Sequence, residues 1–223
     1  MNQKPQLIER GEPFEKAGLA HRVLQPESNG PLPTAVLIHG RAGNEDVMWV
    51  FARTIPDNWL VVAPRAIKED PDGGYSWHSR QADTWPSLSQ FDEAVTAISH
   101  FIRALPGLYQ ADPNRICLMG FSQGAALAIA TAICQPGLVH GIASLVGFVP
   151  VESEAALDTA PLKDLPIIMA VGKHDERIPY ERAQQGAEVL KAAAAQLEYR
   201  EYDTGHKLNA QGMRDLTEWW KQR

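Results

Sequence analysis

Gly120-Phe121-Ser122-Gln123-Gly124 sets a serine between glycines two residues before and two after it, downstream of the apolar run Arg115 to Met119 and at the head of an Ala-rich stretch reaching Cys134. A serine on a sharp strand-to-helix turn holds a strained backbone, and small flanking residues let the chain bend without a Cβ clash. Its hydroxyl then stands clear of the strand and can attack a carbonyl carbon. A hydroxyl is a weak nucleophile, so it needs an imidazole in hydrogen-bond reach and a carboxylate that fixes the tautomer of that imidazole. Asp175, in Gly172-Lys173-His174-Asp175, and His206, in Asp203-Thr204-Gly205-His206, follow Ser122 in the order nucleophile, acid, histidine. The intervals, 122 to 175 and 175 to 206, each leave room for a strand-helix unit, which would bring all three to one sheet edge. Asp203 is the rival acid, but it also fits a turn or cap beside His206.

The oxyanion formed when a carbonyl is attacked needs main-chain N–H donors, one from the residue after the nucleophile and one from the loop after an earlier strand. Gln123 offers the first and Arg41, in His39-Gly40-Arg41-Ala42-Gly43, the second. The Arg41 side chain is expected to be solvated, with pairing to an acidic substrate as the other reading. Trp77 and His78, in the long loop from Pro64 to Pro86, are the candidate substrate-binding residues, and Trp85 and Trp49 could join them as an acyl wall. His39 is expected to bond loop backbone rather than act as a second base. No spacing among histidines, cysteines and carboxylates suggests a metal site, and no cofactor motif occurs.

Positioning these groups requires short apolar runs alternating with amphipathic ones, the pattern of a parallel sheet with crossover helices. Strands are predicted at Ala35 to His39, Leu60 to Ala63, Arg115 to Met119, Gly141 to Val146, Ile167 to Val171 and Glu198 to Tyr202. Helices are predicted at Asp46 to Thr54, Ser89 to Ala104, Gln123 to Cys134, Tyr180 to Gln196 and Leu208 to Lys221. The segment Leu19 to Leu24 suggests an antiparallel edge strand, and the loops 64–86 and 148–166 would wall a pocket. With 223 residues, 44% hydrophobic and 22% charged, and no linker between composition regimes, residues 1–223 read as one α/β domain. The formal charge of −6 and the lack of a basic block exclude nucleic acid as an expected partner. The cysteines, Cys117 and Cys134, sit among apolar neighbours as free thiols would in a reducing compartment. Met1 to Gly11 has no signal-like apolar run, and no apolar stretch reaches the roughly 20 residues of a membrane span. A cytoplasmic protein is expected, with a homodimer left open.

On the segments Leu37-Ile38-His39-Gly40, Gly120 to Gly124, Gly172-Lys173-His174-Asp175-Glu176-Arg177-Ile178-Pro179 and Gly205-His206, most of the chain resembles the phospholipase/carboxylesterase family, which includes acyl-protein thioesterases and small bacterial carboxylesterases. The resemblance implies an α/β-hydrolase fold with a mostly parallel central sheet flanked by helices and no large lid domain. It also implies no metal or organic cofactor, and a small-molecule carboxylic ester or thioester substrate cleaved through an acyl-enzyme, as in carboxylesterases, lysophospholipases and acyl thioesterases. Arg41 stands where the family usually has leucine, and Tyr75-Ser76-Trp77 lacks a clear counterpart there, so acyl preference does not carry over. The alternatives are an acyltransferase, a lactone hydrolase, whose nucleophile would usually be cysteine, and a non-catalytic ligand receptor on the same scaffold.

Overall fold

The computed structural model describes residues 4–27, 30–79, 84–157 and 161–223. In chain order the elements are β1 (Gln6–Ile8), α1 (Glu12–Ala17), β2 (His21–Leu24), β3 (Leu32–Ile38), α2 (Trp49–Ala52), β4 (Leu60–Pro64), β5 (Lys68–Glu69) and β6 (Tyr75–Ser76). After a 3₁₀ turn at Leu88–Phe91 come α3 (Asp92–Tyr109), β7 (Ala111–Phe121), α4 (Gln123–Cys134), β8 (Gly141–Leu145) and α5 (Glu154–Leu157). The chain continues through β9 (Pro166–Gly172), α6 (Tyr180–Ala192), β10 (Gln196–Tyr202) and α7 (Ala210–Lys221).

Eight strands form one sheet in the order β1-β2-β4-β3-β7-β8-β9-β10. From β4 to β10 every neighbouring pair is parallel, and β2 runs antiparallel to both β1 and β4. Strands β3, β4 and β8 are buried along their whole length, as apolar runs must be when helices cover both faces of a parallel sheet. One face carries α3, α4 and α6 around Val36, Leu118 and Ile142. The other carries α2 and α7, with Trp219 and Trp220 against Ala35, Cys117 and Ala143. Helix α4 is rich in alanine and buried on nearly every side, so its backbone lies close under the sheet. This is the α/β-hydrolase architecture. No helix among the described residues is long and apolar enough to cross a membrane.

Several elements differ from the sequence expectation. The edge strand near residues 19–24 is β2, but β1 adds a further strand outside it. The helix expected over 46–54 contracts to the four residues of α2, because the Asn44 side chain accepts the Asp46 N–H in a local turn and Pro56 stops the chain just beyond. The long loop after β4 contains the β5–β6 hairpin, turned through Gly73 and Gly74 at φ 93° and 66°. Parts of the two long loops, 80–83 and 158–160, lie outside the described residues. The carboxyl ends of β3, β7, β9 and β10 meet at one sheet edge, the position where parallel α/β sheets bind ligands.

Candidate active site

Ser122 lies between β7 and α4 with φ 54° and ψ −116°, a conformation that costs a non-glycine residue free energy and that surrounding contacts must hold. Its N–H donates to Leu145 O on β8 at 2.9 Å, and its carbonyl accepts from Ala125 N and Ala126 N at 3.0 and 3.2 Å. The flanking glycines are required by proximity. A Cβ on Gly120 would come 2.2 Å from Gly124 O, and one on Gly124 would come 2.2 Å from Ile38 O on β3.

Asp175 and His206 sit on the loops after β9 and β10. His206 Nδ1 donates to Asp175 Oδ2 at 2.7 Å, with side-chain exposures of 11% and 2%. The other carboxylate oxygen, Oδ1, accepts from Arg177 N and Ile178 N at 2.8 and 3.0 Å, so the acid is fixed by backbone as well as by the imidazole. The two loops are laced together by Lys173 N to Tyr202 O (2.9 Å) and His174 N to Thr204 O (3.0 Å). His206 Nε2 is buried and has no hydrogen-bond partner among the described residues, and the ring meets Phe121 edge-on at 5.1 Å. The bond from Ser122 to Nε2 is thus not made in this conformation, although both residues line one cleft. Such bonds commonly tighten only when substrate is present. The rival acid, Asp203, points elsewhere: it accepts from His174 Nε2 at 2.5 Å on the exposed surface.

Among the described residues the N–H groups of Arg41 and Gln123 donate to no acceptor, whereas that of Ala42 donates to Ser76 Oγ at 3.3 Å. Ser76 in turn donates to Asp70 Oδ2 at 2.5 Å, and Tyr75 N donates to Gly43 O at 2.7 Å, so the β5–β6 hairpin clasps the 40–43 turn. Burial raises the Asp70 pKa, but bonds from Ser76 and Asp72 N and the charge of Arg41 outweigh it and hold the carboxyl below the usual range. The Arg41 guanidinium donates to Asp70 Oδ1 and Asp72 Oδ2 at 3.2 and 2.8 Å. Its side chain therefore differs from both expectations: it is half-exposed but engaged by two carboxylates of its own chain. A second clamp holds the same turn from behind, where Arg65 grips the buried Glu45 carboxylate with two bonds.

His39 carries out the backbone-bonding role expected of it. Fully buried, it donates through Nδ1 to Gly40 O at 2.7 Å and accepts at Nε2 from Ala66 N at 3.0 Å, and burial pushes its pKa down to about 4. Trp77 corrects the expectation of a substrate wall. It is fully buried beneath the turn, with its indole N–H on His39 O and its main-chain N–H on Gln123 Oε1, both at 2.8 Å. The indole supplies a donor to a strand-end carbonyl that would otherwise be buried unpaired, so the ring folds inward. His78 does line the cleft; it donates through Nδ1 to Ser79 O, packs edge-on against Phe91, and burial lowers its pKa.

The cleft measures about 920 Å³, with Phe148, Trp85, His78 and Arg177 among its described walls around Ser122 and His206. Trp49 is not among them; its indole bonds Glu45 O beside the α2–α7 face. Sequence reasoning missed Asp70, Ser76 and the Gln123 amide as supports of the site. The one available signal was the turn-forming run Asp70-Pro71-Asp72-Gly73-Gly74 ahead of Ser76. No group of three or more metal-ligating side chains occurs among the described residues.

A family model described as Phospholipase/Carboxylesterase matches residues 20–222. The protein called "Probable carboxylesterase SOBER1-like" of Arabidopsis thaliana is 30% identical over 114 residues, covering 50% of this chain and 44% of that protein. A "Probable inactive carboxylesterase" of Oryza sativa subsp. japonica is 32% identical over 99 residues, covering 44% of this chain and 40% of that protein. The match thus takes in less than half the length of these two curated relatives. Among solved structures, the carboxylesterase of Bacillus cereus superposes with a TM-score of 0.81 at 19% identity, covering 94% of this chain and 96% of that one, a likeness of fold.

Proposed function

The chain belongs to the phospholipase/carboxylesterase family, and from that premise we propose that it is a serine hydrolase that cleaves carboxylic esters or thioesters through an acyl-enzyme. One observation carries the reading: the bond from His206 to Asp175 leaves Nε2 of the imidazole buried and unpartnered on the cleft that Ser122 also lines. A buried polar atom without a partner costs about 1–3 kcal/mol, a cost consistent with a base reserved for a reacting proton.

Ser122 Oγ attacks the carbonyl carbon as its proton passes to His206 Nε2, and Asp175 stabilises the imidazolium without itself taking the proton. The N–H groups of Arg41 and Gln123 hold the oxyanion, with Ala42 excluded because its N–H already bonds Ser76. As the carbon–oxygen or carbon–sulfur bond breaks, Nε2–H protonates the leaving atom. Water then takes the place of the leaving group and attacks the acyl carbon as it loses a proton to Nε2, and Nε2–H returns that proton to Ser122 Oγ as the acyl–Oγ bond breaks and the carboxylic acid leaves. The 223 residues act here as one catalytic domain, and two free cysteines, with the Cys117 thiol pushed up to about 12 by burial, support a reducing, cytoplasmic setting.

A second reading, a non-catalytic receptor, is favoured by the inactive designation of the rice relative. Hydrolysis of p-nitrophenyl esters from acetate to dodecanoate, beside an acyl thioester, separates the two. Turnover that falls at least about 10⁴-fold in a folded Ser122→Ala variant supports the hydrolase. Turnover retained in that variant refutes the nucleophile, and a folded wild type with no turnover and no fluorophosphonate adduct supports the receptor.

A further inference from the structure

A second cavity, of about 380 Å³, adjoins the serine cleft, and Val47 and Phe121 line both. Its walls include Val50, Phe51, Leu208 and Met213, and its surface is mostly apolar. Val47 and Val50, at 51% and 53% exposure, are the large hydrophobic side chains left exposed among the described residues. Two cations, Arg53 and Lys207, also border the cavity; both are exposed and neither has a carboxylate partner among the described residues. Glu45 and Asp46 are engaged by Arg65 and Arg22, and the exposed Asp57, four residues beyond Arg53, forms no ion pair with it among the described residues. The cavity therefore presents apolar contact beside the serine cleft, and two cations without carboxylate partners on its border.

Its position decides which half of a substrate it can take. In acyl transfer the imidazole must protonate the leaving atom, so the leaving group lies on the imidazole side of the scissile bond. His206 itself lines the larger cleft, while the residues that directly follow it, Lys207 and Leu208, line this cavity together with Phe121, whose ring meets the imidazole edge-on. The acyl half would lie instead in the larger cleft, toward Phe148, His78 and Arg177. Resting on the serine hydrolase reading above, we propose that this cavity binds the leaving alcohol or thiol, and selects one that is apolar near the scissile bond and anionic at its far end. The carbonyl carbon–oxygen bond breaks, Nε2–H passes to the departing oxygen, and the neutral hydroxyl and its apolar chain leave through the cavity.

The test is kcat/KM for butanoate esters of methanol, hexanol and 6-hydroxyhexanoate, with methyl hexanoate as the acyl-side control. Each buried methylene is worth about fourfold, so hexyl should exceed methyl by at least about tenfold in this open cavity, with the carboxylate-bearing ester favoured further. Val50→Asp, on an exposed position that keeps the fold, should cut the hexyl-to-methyl ratio at least about fivefold, and Arg53→Glu should abolish the preference for the anionic ester. A wild-type ratio near one, a ratio unchanged in Val50→Asp, an anionic preference unchanged in Arg53→Glu, or a gain seen only on lengthening the acyl chain would overturn the assignment. Fluorophosphonate labelling separates the two failures. Labelled Ser122 with no dependence on alcohol length removes this inference alone, and absence of both label and turnover removes the serine hydrolase reading with it.

Discussion

Substituting alanine for Gly172 attacks the proposed catalytic geometry from outside the groups proposed to react. Gly172 ends β9 and packs against the main chain ahead of His206. A Cβ there would lie 2.3 Å from Gly205 O and 2.6 Å from Thr204 O, inside the 3.0 Å that Cβ atoms essentially never cross. Both obstacles are backbone, so no side chain can swing aside and the two loops must part by at least about 0.7 Å. The Asp175–His206 bond bridges those loops at 2.7 Å, and that opening would lengthen it to roughly 3.4 Å, past the usual range for such bonds and much weakened. Misplacing a catalytic group by about 1 Å costs on the order of 100-fold in rate, so kcat should fall about 30- to 100-fold with little change in KM. Overpacking should also cost about 1–3 kcal/mol of stability, visible as a lowered melting temperature. The assay is p-nitrophenyl butyrate hydrolysis by a variant with native circular dichroism. A folded Gly172→Ala enzyme with kcat within threefold of wild type would refute the claim that the contact of these loops sets the acid–base pair.

Ser76→Ala should release the Ala42 N–H and loosen the turn proposed to hold the oxyanion, lowering kcat about tenfold at unchanged KM; a change confined to KM would contradict that role. Because Arg41 is already engaged by Asp70 and Asp72, Arg41→Ala should alter kcat/KM for anionic and neutral esters by the same factor within about twofold, and a selective loss on the anionic ester would restore a direct substrate contact. Burial holds His39 at about 4, against 6.5 in the unfolded chain, with its bond to Gly40 opposing only in part. Between those values the unfolded chain takes up a proton that the native one refuses. The stability contribution is therefore complete above pH 6.5 and is lost as pH falls toward 4, on the order of 3 kcal/mol in all. The urea midpoint should fall across that window; a flat profile would contradict it.

The candidate site was more legible in the sequence than the supports beneath it. Ser122 announces itself because its turn demands glycine at 120 and 124, a local steric rule that leaves a local mark. Asp175 and His206 follow because each lies on the loop just after a strand, and strands and their order are written in apolar runs. His206 bonds Asp175, and Asp203 is instead bonded by His174. The hairpin β5–β6 left only its turn residues as a trace, since two strands of two residues are too short to show alternation. Burial of Trp77 and the bonds between the Gln123 amide and the 77–78 backbone depend on residues 38 to 46 positions apart in the chain meeting in space, and no periodicity encodes that. The same holds for Arg41, whose partners lie 29 and 31 residues away. The apolar cavity beside α2 was hidden because Val47 and Val50 look like the buried stripe of a helix that the chain does not complete.

The most direct measurement is a crystal structure of the protein after reaction with an alkyl fluorophosphonate. The account predicts phosphorus bonded to Ser122 Oγ, the phosphoryl oxygen about 2.7–3.1 Å from both Arg41 N and Gln123 N, and His206 Nε2 turned toward the adduct with its Asp175 bond intact. An adduct on another residue, or one on Ser122 whose oxygen meets neither N–H and whose neighbouring imidazole stays out of reach, would contradict it.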